Sequence, residues 1–158
     1  MSWLSIAHLP RPHDPERQSV AWARWSEKAE RPSDPAAIGL LDALFGNSPY
    51  LTEIALQNPT FMTDLWRRDP DGVVADLTVE LVAARAAARG GEQPAAVATT
   101  LRRLKRRVAL ATAIADIADY WTLGKITGAL SAFASGCLDA LTDSILLQLA
   151  RDGQLAIG

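Results

Sequence analysis

With 158 residues, 49% of them hydrophobic and 22% charged, the chain has room for one ordinary domain, able to bury roughly 70% of the surface it exposes unfolded. Its 16 Lys and Arg stand against 18 Asp and Glu, so net charge gives no reason to expect a polyanion partner. The single cysteine, Cys137, excludes an intrachain disulfide and any cysteine-based zinc site within one chain, and suits a reduced compartment.

The first residues carry no basic leader or small-residue cleavage site, and residues 1–14 read as a flexible leader. His8 and His13 within it read as solvated side chains, not as metal ligands. The longest strongly apolar uncharged stretch, 126–138, has 13 residues, where a bilayer span takes about 20. The expected location is cytoplasmic.

Five proline signals then follow in order: Asp14-Pro15, Asp34-Pro35, Ser48-Pro49, Asn58-Pro59 and Asp69-Pro70. In each, a short polar side chain can accept a first-turn N–H. Proline fills the next position, where its missing N–H costs nothing. They predict short helices near 15–30, 35–45, 49–57, 59–67 and 71–89, with Gly46 and Gly90-Gly91 as stops. Val74, Leu77, Leu81 and Ala84 line one face of the fifth.

Two long helices close the chain. From Pro94 to about Tyr120, the spacing of Val97, Leu101, Leu104, Val108, Ala111, Ala115 and Ala118 predicts a buried face. Leu110, Ile114 and Ile117 form a second stripe, so this helix is expected to be covered on two sides. Thr122 is a predicted N-cap for a last helix reaching about Asp152. Its expected inner stripe is Ile126, Leu130, Phe133, Cys137, Leu141, Ile145 and Leu149, interspersed with small residues. The short joint near Trp121 makes the two helices antiparallel neighbours. The predicted fold is all-α, an array of short helices followed by a long antiparallel helix pair, in a single helical domain over 15–158. Only Leu155-Ala156-Ile157 hints at a strand.

Little in this frame carries chemistry. Asp69 and Asp71 are two apart, as in magnesium-holding pairs, but such pairs need a strand to share a face; here they open a helix, and Asp69 is read as a cap. Asp116 with Asp119, and Asp139 with Asp143, could place four carboxylates on two helices. Di-iron bundles of that kind also use Glu-x-x-His pairs, and no histidine follows His13. Cys137 reads as a small apolar side chain. The strongest charge feature is Arg102, Arg103, Lys105, Arg106 and Arg107, with like charges at four-residue spacing. It is either a solvated or internally paired face or a docking surface for an acidic protein, and nucleic acid is disfavoured by the overall acidity.

Phe45-Gly46-Asn47-Ser48-Pro49-Tyr50-Leu51, Leu101-Arg102-Arg103-Leu104-Lys105-Arg106-Arg107, Asp116-Ile117, Leu130-Ser131-Ala132-Phe133-Ala134 and Cys137-Leu138-Asp139-Ala140-Leu141 occur in an order and spacing that resembles the bifunctional glutamine synthetase adenylyltransferase/adenylyl-removing enzyme. The resemblance covers about residues 40–150 and concerns that family's N-terminal helical segment. It implies a regulator of nitrogen assimilation that attaches AMP to a tyrosine of glutamine synthetase and removes it by phosphorolysis, under control by the PII protein. Magnesium and ATP or phosphate are the cofactors implied for the full-length enzyme. The family's Ser-Asp-x-Asp strand has no match here, so no catalytic, cofactor-binding or metal residue carries over. The resemblance thus implies a non-catalytic lead-in to a nucleotidyltransferase domain missing from this chain. The expected partners are that catalytic domain, glutamine synthetase and, indirectly, PII. The alternative is a self-standing helical adaptor docking an acidic protein through residues 102–107.

Overall fold

A computed structural model describes residues 3–155. Among them are a single 3-10 turn, Ile6–His8, and seven helices: α1 (Pro15–Ser26), α2 (Pro35–Asn47), α3 (Pro49–Gln57), α4 (Pro59–Arg67), α5 (Pro70–Arg89), α6 (Pro94–Ile117) and α7 (Leu123–Arg151). The fold is all-α, as expected. Of the expected strand, Leu155 is exposed and outside any element, while Ala156 and Ile157 lie outside the described residues.

Proline begins each of the first five helices, and the predicted caps explain four of the starts. Asp14 accepts from the Arg17 N–H at 2.9 Å, Asp34 from Ala36 at 2.9 Å, Ser48 from Leu51 at 3.3 Å and Asp69 from Gly72 at 2.7 Å. Asn58 makes no such bond. Its amide donates backward to the Ile54 carbonyl at 3.1 Å, closing α3 instead of opening α4. Thr122 caps α7 through the Lys125 N–H at 3.4 Å.

The three long helices end alike. At the end of α5, Glu92 N–H reaches Ala87 O and Gly91 N–H reaches Ala88 O, with Gly91 at φ +89°. Gly153 closes α7 the same way at φ +70°. At the end of α6 the left-handed residue is Asp119, at φ +52°, with Tyr120 N–H bonded to Ala115 O. This reversal ends α6 at Ile117, three residues short of the expected Tyr120. Gly46, expected to stop α2, instead lies inside it. A Cβ there would come within 2.8 Å of the Pro12 backbone, so the glycine admits the leader.

The sequence predicts one domain over 15–158; the structure gathers its residues around two cores. The first unit holds the residues through Val73 together with Leu110–Ile126. Trp25 is its centre, fully buried, with Phe45 and Trp66 about it at ring separations of 6.1 and 6.0 Å. Leu40, Leu41, Leu44, Leu56, Met62, Leu65, Leu110 and Ile114 fill the rest. Within the segment read as a leader, Leu4 is buried and Trp3 donates to the Trp66 carbonyl at 3.2 Å. Asn47 accepts from His13 N–H and donates to Arg11 O, both at 3.1 Å. The leader thus runs along α2.

The second unit holds Val74–Ala109 and the residues from Thr127 onward. Leu77, Leu81, Ala84 and Ala88 of α5 and Val97, Leu101, Leu104 and Val108 of α6 form its core. Leu81 faces Gly136, Arg85 reaches Asp139, Arg89 reaches Asp143 and Gly91 O accepts from Arg151, so α7 runs parallel to α5. Glu80 meets Arg103 and Arg107 across the turn at 90–93. α6 therefore returns opposite to α5, which makes α6 and α7 antiparallel, as expected.

Candidate functional site

The basic run occupies the middle of α6. Leu101, Leu104 and Val108 are buried, which turns Arg102, Arg103, Lys105 and Arg106 outward, all exposed, while Arg107 is half-buried. The face is partly paired. Glu80 of α5 takes Arg103 at 3.5 Å and Arg107 at 3.4 Å, and Arg102 donates to the Thr99 hydroxyl at 3.2 Å. Long, exposed ion pairs of this kind contribute at most about 1 kcal/mol each. Their effect is to draw Arg103 and Arg107 toward α5.

The carboxylates that could have met a metal are spread through the fold. Asp69 is a cap. Asp71 accepts from Trp121 Nε1 at 3.1 Å and pairs with Lys125, whose ammonium sits 4.7 Å from the Trp121 ring centre. These groups tie the start of α5 to the α6–α7 joint. The neighbouring Tyr120 hydroxyl is pushed above its ordinary pKa, mainly by burial and then by the Asp71 and Asp69 charges. Asp116 is exposed, and Asp119 lies 3.8 Å from His8 Nδ1.

Asp139 and Asp143 do come together, but around arginine. Arg85 contacts Asp139 at 2.7 Å and Asp143 at 3.1 Å, and Arg89 contacts Asp143 at 2.8 Å. Hydrogen bonds from Arg89 and Arg85 hold the Asp143 carboxyl below its ordinary pKa. Among the described residues no group of three or more His, Cys, Asp and Glu is placed to hold a metal ion. Cys137 is half-buried, and burial pushes its thiol pKa up against the opposing charge of Lys105.

A cleft of about 820 Å³ in the first unit is lined by Trp3, Arg31, Asp34, Trp66, Arg68 and Asp69, among others. Two of its carboxylates are the caps of α2 and α5, and its charges are of both signs.

The expected inner stripe of α7 is corrected. Of its seven residues only Ile126 is buried, while Leu130 and Ile145 are exposed. The covered face carries Gly136, Ala140 and Ser144 instead. A Cβ at Gly136 would lie 2.6 Å from Leu81, and Ser144 donates to the Glu92 carbonyl at 3.3 Å. Small side chains and a hydroxyl let α7 approach α5 closely, and the larger apolar residues are rotated toward the edges. As a helix, α7 is also long and apolar enough to cross a membrane by length and composition, which the uncharged run alone did not suggest.

The sequence reading missed Glu80, Arg85 and Arg89. The signal was there: Arg85 and Arg89 share the four-residue spacing of Asp139 and Asp143, so two matching charge pairs sat on two helices.

The sequence profile of glutamate-ammonia ligase adenylyltransferases matches residues 38–157, which takes in most of α2 and every later helix. The chain is 30% identical over 154 residues to the bifunctional glutamine synthetase adenylyltransferase/adenylyl-removing enzyme of Bradyrhizobium diazoefficiens, covering 94% of this chain and 15% of that enzyme. It is 34% identical over 130 residues to the enzyme of the same name from Rhizobium meliloti, covering 79% of this chain and 13% of that one. For the Caulobacter vibrioides enzyme the figures are 32% over 148 residues, 93% and 14%. The chain thus spans about 15% of the length of such relatives. No solved structure matches it significantly. On the family profile and these relatives together, the chain belongs to the glutamate-ammonia ligase adenylyltransferase family.

Proposed function

We propose that this chain is the non-catalytic helical part of the adenylyl-removing half of a glutamine synthetase adenylyltransferase. It scaffolds the catalytic domain in the control of nitrogen assimilation, helps present glutamine synthetase to it, and works in the cytoplasm. Family membership supports the setting. One observation carries the scaffolding role: the carboxylates best spaced for metal are engaged in holding helices. Asp69 caps α5, Asp71 binds Trp121 and Lys125, and Asp139 and Asp143 bind Arg85 and Arg89. Adenylyl transfer and phosphorolysis both need magnesium beside a polarised phosphate. In this reading magnesium and the nucleotide or phosphate are bound elsewhere in the enzyme.

The test mixes the purified chain with adenylylated glutamine synthetase, phosphate and magnesium. No ADP should appear above background, and turnover abolished by chelation would sink the reading. Adding the Caulobacter catalytic region, deprived of its own matching segment, should then raise that region's melting temperature.

A second reading is favoured by the exposure of Arg102, Arg103, Lys105 and Arg106 along α6: an adaptor docking an acidic protein surface. Because Glu80 engages Arg103 and Arg107, the informative reversals are Arg102→Glu and Lys105→Glu. Binding to glutamine synthetase should weaken in both, and also with added salt, since exposed charges are screened over about 10 Å at 0.1 M. Unchanged binding would leave the run a solvated face.

A further inference from the structure

An aspartate or asparagine followed by glycine or serine carries a reaction within its own backbone. The next amide nitrogen attacks the side-chain carbonyl carbon, a C–N bond closes, and water leaves from aspartate or ammonia from asparagine. The succinimide so formed takes up water at either carbonyl. One opening returns aspartate; the other leaves isoaspartate, in which the main chain runs through the former side chain. A following residue with little or no side chain leaves the attacking nitrogen open. The sequence offers this pairing four times, at Asn47-Ser48, Asp71-Gly72, Asp143-Ser144 and Asp152-Gly153.

The fold ties down three of them. The Asn47 amide accepts from His13 N–H and donates to the carbonyls of Arg11 and Ala43, while Ser48 N–H is bonded to Leu44 O at 3.0 Å. The Asp71 carboxylate is bound by Trp121 and Lys125, and Gly72 N–H is engaged by Asp69 at 2.7 Å. Asp143 lies well inside α7, gripped by Arg85 and Arg89 and followed by the buried Ser144. Ring closure at any of these must first break a clamp on the carbonyl under attack.

Asp152-Gly153 differs on each count. Both residues are exposed, directly beyond the end of α7 at Arg151. The Asp152 carboxylate meets the Gln148 amide at 3.1 Å, and no arginine or lysine pairs with it. Nothing lies within 4 Å of where a Cβ of Gly153 would stand, so that side of the turn is open. Gly153 N–H is bonded to Ala150 O at 3.1 Å, a last-turn bond of the kind that opens first. A carboxylate at the negative end of a helix is also disfavoured, and ring closure removes that charge.

We propose that Asp152-Gly153 is the site at which the folded chain forms isoaspartate, and so the address at which an isoaspartyl methyltransferase acts on it. Enzymes of that class esterify the α-carboxylate that isoaspartate exposes. The modification lengthens the main chain by one methylene at Asp152. It disturbs the two bonds that close α7, from Gly153 N–H to Ala150 O and from Gln154 N–H to Leu149 O, and the helix unwinds from its last turn.

The intact chain is aged warm at mildly acidic pH, once folded and once in urea, then treated with an isoaspartyl methyltransferase and a labelled methyl donor. Peptide mapping should place the label of the folded sample at Asp152 and that of the unfolded sample at Asp71 as well. Amides of the last turn of α7 should exchange faster in the aged folded chain than in the fresh one. Asp152→Glu, whose longer side chain closes the ring poorly, should lose the folded-state label while its circular dichroism matches the parent. Absence of label at Asp152 in the folded chain overturns the proposal, whatever the urea sample gives. Label at Asp71 or Asp143 equal to that at Asp152 in the folded chain overturns it too, because the fold then selects nothing. So does folded-state label that survives Asp152→Glu.

Discussion

Helices α6 and α7 are the two longest among the described residues, yet the fold uses them in opposite ways. In α6 the predicted stripe Val97, Leu101, Leu104, Val108, Ala111, Ala115 and Ala118 is buried at every position, and Leu110 and Ile114 of the second stripe are buried too. In α7, 29 residues long, only Ile126, Ala140 and Ser144 are buried. Much of what fixes α7 in the second unit is polar: Arg85 and Arg89 on its aspartates, and two backbone carbonyls accepting from Ser144 and Arg151. Periodicity alone shows that a helix has an apolar face. It does not show whether the covering surface belongs to the same core.

The contrast predicts unequal costs for the same deletion. Leu104→Ala in α6 removes a fully buried side chain and should cost about 2–5 kcal/mol, whereas Leu138→Ala in α7 should stay within about 0.5 kcal/mol. Urea unfolding followed by circular dichroism measures both. Equal losses would mean that α7 is covered in solution.

Glycines sharpen the point with a smaller effect. Gly46→Ala drives a methyl group into the Pro12 backbone, and strain of this kind costs about 1–3 kcal/mol. Gly128→Ala on α7 meets nothing within 4 Å, so helix propensity alone should stabilise by up to about 1 kcal/mol. Opposite signs in thermal melts are the expected result.

Next in size is the end of α6. Asp119 holds a left-handed conformation that glycine adopts without steric cost. Asp119→Gly should raise stability by about 0.5–1 kcal/mol, even after losing its exposed contact with His8. A decrease would mean that the His8 contact outweighs the strain.

The smallest expected effect is the acid response of α7. Because Arg89 and Arg85 depress the Asp143 pKa, its stabilising contribution is present above the unfolded carboxylate value of about 3.9. It is lost as pH falls through the lower folded value. Asp143→Asn should therefore weaken the chain at neutral pH and match the parent in strong acid. Amide exchange along α7 at both pH values tests this.

Much of the fold was legible because its signals are local. Each X-Pro step marks a helix start, whatever the rest of the chain does, and Thr122 capped where expected. The misses needed knowledge of a neighbour. Asn58 sits between two helices, and its amide served the one behind it. Asp119 ended α6 in a conformation usually announced by glycine. Gly46 was conspicuous as a stop but answers to Pro12, 34 positions away. For the candidate site, the exposure of Arg102, Lys105 and Arg106 followed from the α6 stripe. The pairing of Arg103 and Arg107 with Glu80 required the α5–α6 turn.

The two cores also differ in colour. All five tryptophans (Trp3, Trp22, Trp25, Trp66 and Trp121) and both tyrosines (Tyr50 and Tyr120) belong to the first unit. Phe133 is the only aromatic residue of the second. Near-ultraviolet absorbance and tryptophan emission therefore watch the first unit alone, while far-ultraviolet ellipticity weighs helices from both. A denaturation curve recorded in both channels is in effect a two-region experiment without a label. Superimposed curves mean one cooperative transition, and an ellipticity loss preceding any change in emission means that the tryptophan-free helices melt first.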